Sequence, residues 1–99
     1  MTETSIPDDG PIDLPERLDF AACETLAQDF EARRGSVLHL QAGRVGFLGA
    51  LAAEILLRAR QDWQNDGVDF HVVAPSPAFL KGLDLLGIPR HALFLEDPA

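Results

Sequence analysis

One run of residues, 48–67, narrows the choice of fold more than any other part of this chain. Leu48, Leu51, Ala52, Ile55, Leu56, Ala59 and Trp63 recur at three- and four-residue steps, the spacing that sets apolar groups along one face of a helix for four turns. Glu54, Arg58 and Asp62 fall on the other side, and Asn65, Asp66 and Gly67 stop the pattern. Directly afterwards Val68, Phe70 and Val72 alternate with Asp69 and His71, as strand residues do. A long amphipathic helix that passes at once into a strand calls for a sheet on which the helix can lie.

The flanking segments have the same order. Ile12 and Leu14 alternate with polar neighbours and are closed by Pro15, which suits a short edge strand because proline donates no ladder hydrogen bond. Asp19 is placed to cap a first helix through Phe20, Cys23, Leu26, Ala27 and Phe30, stopped by Gly35. Val37, Leu38 and Leu40 are too brief a run for a helix and read as a buried strand. Ser76 followed by Pro77 is a helix start, Phe79, Leu80, Leu83 and Leu86 are its buried stripe, and Gly87 its end. Leu93, Phe94 and Leu95 are read as a last strand or a docked apolar tail. Strand and helix alternating three times make the class α/β, with right-handed crossovers.

Ninety-nine residues provide for one core and one domain. Residues 1–11, with Pro7, Asp8, Asp9, Gly10 and Pro11, read as a flexible acidic leader, and residues 12–99 as the domain. Residues 1–31 hold nine acids against Arg17 alone, and the seven acids and seven bases that follow cancel, so the whole net charge of −8 lies in the first third. Nucleic acid is repelled there. The lone Cys23 makes no internal disulfide and fits a reducing, cytoplasmic setting. No signal peptide is evident, and the longest apolar stretch, Val45 to Leu57, is too short to span a bilayer and is interrupted by Glu54.

Three stretches together resemble the STAS domain, the fold named for sulfate transporters and anti-sigma factor antagonists. They are Val37 to Gln41 with Gly43 to Ala53, Asp66-Gly67 to Val73, and Pro75-Ser76-Pro77-Ala78-Phe79 to Leu86-Gly87. The resemblance runs from about Ile12 to Leu95. It implies a small mixed, mostly parallel β-sheet of four to five strands with helices packed mainly on one face. In that family the strand before the second helix leads into a segment such as Asp-Ser-Ser-Gly-Leu, whose hydroxyl takes a phosphate from a partner kinase at a helix N-terminus. Here the corresponding residues are Gly49, Ala50, Leu51, Ala52 and Ala53, without a hydroxyl or carboxylate among them. The resemblance therefore implies a domain that has lost its phosphorylation position near Ala50 and Leu51 and retains binding.

In place of the acceptor stands a small apolar shelf of Gly49, Ala50 and Ala53, with Leu57 one turn on and Gly46 and Arg44 in the preceding turn. These six residues are expected to meet a partner. The alternative is that they touch the protein's own loops. The resemblance implies a non-enzymatic interaction module of bacterial signalling, similar to anti-sigma factor antagonists and to STAS proteins that accompany chemotaxis-type phosphorelays. Its partner is then an anti-sigma or kinase-type regulator. The alternative is a small STAS subunit docking on the ATPase of an ABC-type lipid transporter.

No cofactor, metal or membrane insertion is expected. His39, His71 and His91 have no two-ligand spacing on one element, and Gly43, Gly46 and Gly49 match neither the dinucleotide fingerprint nor the Walker pattern. No nucleophile is paired with a base, so no enzyme is expected.

Overall fold

The structure, a computed structural model, describes residues 10–93. Most of the expected leader and the expected final strand at Phe94 and Leu95 lie outside the described residues.

Strands β1 (Ile12–Asp13), β3 (Leu38–Gln41) and β5 (Phe70–Val73) form a three-stranded parallel sheet with β3 in the middle. A second, two-stranded parallel pair joins β2 (Arg17–Leu18) to β4 (Phe47–Leu48). Among the described residues there are five strands, but the single sheet of four to five strands is corrected to three plus two. The pair arises because Leu18 and Leu48 are both buried while their neighbours Arg17 and Phe47 stay outside, a period-2 pattern too short to read from sequence.

Helices α1 (Cys23–Ala32), α2 (Ala50–Asp66) and α3 (Pro77–Leu85) connect the strands, with single 3-10 turns at Phe20–Ala22 and Arg90–Ala92. Their ends follow the local chemistry. The Ala22 N–H donates to Asp19 Oδ1 at 3.2 Å, and the Phe79 N–H donates to Ser76 Oγ at 3.0 Å with Pro77 in the first turn. Gly67 ends α2 at φ 72°, where the Val68 N–H donates to the Trp63 carbonyl at 3.0 Å and the Gly67 N–H to Gln64 at 3.1 Å. This is the left-handed stop that glycine adopts without a Cβ penalty.

The core is one cluster. Leu14, Leu18, Leu38, Leu40, Leu56, Phe79, Leu83 and Leu93 are fully enclosed, each burial contributing about 1.5–3 kcal/mol. Trp63 lies at its centre, edge-on to Phe30 (6.2 Å) and Phe70 (6.1 Å), and its Nε1–H donates to the Ser36 carbonyl at 2.7 Å. Arg34 covers the indole from outside at 5.8 Å and pairs with Asp66 at 3.0 Å. The other side of the sheet carries Asp13, Val37 and His39, exposed, and Gln41, His71 and Val73, half-buried. Among the described residues no helix is long and apolar enough to cross a membrane.

A candidate partner-binding groove

The strand-to-helix connections after β3 and β5 are fastened to each other at the carboxyl end of the sheet. The Ser76 N–H donates to the Ala42 carbonyl at 3.1 Å, and the Ser76 hydroxyl donates to the Val45 carbonyl. Ala74 is held at φ 50°, and a Cβ on Gly43 would sit 3.3 Å from the Ala74 carbonyl oxygen, so the two loops are in direct contact. In α/β sheets this end of the parallel strands is where ligands and partners are received.

From that anchor the chain passes through β4 into α2. Gly46 and Phe47 donate to the Glu16 carbonyl at 2.7 and 3.1 Å, and Gly49 donates to Leu18 at 2.8 Å. A Cβ on Gly49 would stand 3.0 Å from the Leu18 carbonyl oxygen. The small residue at 49 therefore lets the protein's own β2 approach, as the self-contact alternative has it. Helix α2 begins without a side-chain cap and without an acid in its first turn, so its first amides are left to solvent or to a visiting group.

Beside this helix start opens a groove of about 380 Å³, with Phe47, Gly49 and Ala50 on one wall and Lys81, Leu85 and Leu86 on the other. Helix α3 forms the second wall because Gly82 allows it to press on Leu48. None of the groove's lining residues carries a hydroxyl, thiol or carboxylate. Leu85 is 77% exposed, Phe47 45% and Leu86 39%, a concentration of open apolar surface of the kind that marks contact sites. Charged groups of both signs stand at its rim: Lys81 lines it and the Arg17 guanidinium lies 5.2 Å over the Phe47 ring, while the Glu16 side chain packs beside Gly46. Asp19 meets Arg17 at 3.4 Å.

Gly46, Gly49 and Ala50 line the groove at one end of α2 and Arg44 lies in the turn before β4, with Arg44, Gly46 and Ala50 exposed and Gly49 half-buried. It corrects the rest of the expected shelf. Ala53 is 1% exposed and belongs to the core, and Leu57 is half-buried against that core. Leu51, expected in the buried stripe, faces outward instead. The buried face runs through Ala52, Ala53, Leu56, Ala59 and Trp63, because the small alanines fit where the backbone of α2 comes close to its neighbours. Phe47, Lys81, Leu85 and Leu86 were not foreseen at the site. The available signal is that Leu85 follows Leu83 and precedes Leu86, more leucine than the single buried stripe of α3 needs.

Comparisons of the chain with protein-family models, with curated proteins and with solved structures found no match.

Proposed function

We propose that this chain is a STAS-like, non-enzymatic binding module of bacterial signalling that engages another protein through the amino end of α2 and the groove beside it, without being phosphorylated there. The observation that carries the reading is the apolar groove itself, which opens at the helix start and is lined without an acceptor side chain. Its complement is an amphipathic segment of the partner with an apolar anchor for the cleft between Phe47 and Leu85 and acidic groups for Lys81 and Arg44. An anti-sigma or kinase-type regulator is the partner class that the family resemblance implies.

A photo-crosslinking residue placed at Leu85 tests this against one placed at Gln61, exposed near the far end of α2. The Leu85 position is expected to capture one defined protein that Gln61 does not. Binding of that protein, once purified, weakens about tenfold or more in Leu85→Asp. Equal capture from both positions, or unchanged affinity in a folded Leu85→Asp, overturns the proposal.

A further inference from the structure

The outer side of the three-stranded sheet holds a constellation that the groove does not use. His39 of β3 and His71 of β5 are cross-strand partners in register, and their rings lie nearly parallel, 16° apart, with centroids 5.0 Å from each other. Asp69 is two residues before His71, so it points to the same side of the strand, and its Oδ2 lies 4.0 Å from His71 Nε2. His39 is exposed, and the side chains of His71 and Asp69 are 42% and 70% exposed. Sequence spacing separates these histidines by 32 positions; the parallel register makes them neighbours.

We propose that His39 and His71 form an open two-nitrogen site for a divalent transition-metal ion, with Asp69 as a third, oxygen donor. Two imidazole nitrogens bound to one ion at about 2.0–2.1 Å are roughly 3–4 Å apart. The stacked rings, His39 exposed and His71 half-buried with centroids 5.0 Å apart, would reach that separation by rotation about their side-chain torsions. Imidazole with carboxylate selects the borderline ions, and copper(II) heads their order of affinity, above nickel and zinc. Among the described residues no group of three or more His, Cys, Asp or Glu could hold a metal ion as it stands. The site is therefore half-built: two nitrogen donors are pre-placed, the carboxylate has to swing in, and the remaining positions take water.

The test uses the full chain and copper(II) itself, followed by calorimetry and by electron paramagnetic resonance of the complex. The expected result is one ion per chain with hyperfine splitting from two imidazole nitrogens. His39→Ala and His71→Ala should each weaken binding by at least the roughly tenfold that even outer-sphere partners of a metal command, and His91→Ala should leave it unchanged. Circular dichroism verifies that each variant is folded, and His71→Asn repeats the loss with a side chain of closer size. Retained affinity in His39→Ala or His71→Ala, an equal loss in His91→Ala, or a single-nitrogen spectrum overturns the site.

Discussion

Gly82 of α3 lies so near Leu48 of β4 that a Cβ at position 82 would stand 2.9 Å from the Leu48 Cβ. Two opposing effects meet at this residue. Alanine in a helix interior is favoured over glycine by about 1 kcal/mol, whereas forcing an extra carbon into a packed contact costs typically 1–3 kcal/mol. The atom in the way is a Cβ fixed to the backbone, so it cannot move aside cheaply and the second effect wins. Gly82→Ala is expected to lower the urea midpoint; a midpoint equal to or above wild type would show that α3 has slack to withdraw.

Ser76 holds two loops with one oxygen. Its hydroxyl accepts from the Phe79 N–H and donates to the Val45 carbonyl. Ser76→Ala removes a helix cap worth about 0.5–2 kcal/mol and a tertiary hydrogen bond worth about 1 kcal/mol. Chemical denaturation should show a loss of roughly 1.5–3 kcal/mol. Hydrogen exchange is expected to quicken first at the amides of residues 42–46 and at the start of α3. Unchanged exchange there would separate the two loops.

Trp63 and Arg34 should rank far apart. Trp63→Phe keeps most of the ring volume but strands the Ser36 carbonyl, at a cost of about 1–3 kcal/mol. Arg34, half open to solvent where it meets Asp66, contributes less because exposed ion pairs are screened. Paired urea titrations check the order. An Arg34→Ala loss equal to that of Trp63→Phe would contradict it.

Cys23 makes stability fall in alkali. Burial, aided by the Asp19 carboxylate, raises its thiol above the ordinary value of 9.0. The folded state thus keeps the proton to higher pH than the unfolded chain does. The resulting stabilisation is complete below that ordinary value and is lost as pH climbs through the raised one. The stability difference between wild type and Cys23→Ala is expected to shrink as pH climbs past the ordinary thiol value of 9.0. A constant difference through that climb would mean that the thiol titrates alike in both states.

The legible parts of this fold were those written in local chemistry. Ser76-Pro77 and Gly67 mark helix ends through hydrogen bonds made within a few residues, where the sequence puts them, whereas Asp19 caps the 3-10 turn Phe20–Ala22 and α1 starts after it at Cys23 without a side-chain cap. The rotation of α2 was not legible. Residues 50–53 read Ala-Leu-Ala-Ala, apolar all round, so periodicity does not select a face; close packing does, turning Ala53 in and Leu51 out. That rotation moved the candidate site from Ala53 and Leu57 to Phe47 and Leu85. The pairing of β2 with β4 and the meeting of His39 with His71 depend on register between distant segments, which no local pattern encodes.

The groove has walls from separate stretches of chain, residues 46–50 and 78–86, joined by the Ser76 clasp across 31 positions. Until the last helix seats, there is only an open ledge and no cleft. With α3 unseated the groove lacks its opposing leucines, so a ligand gripping both walls would distinguish finished molecules from unfinished ones. Under the proposed function, recognition at this surface would double as an inspection of folding.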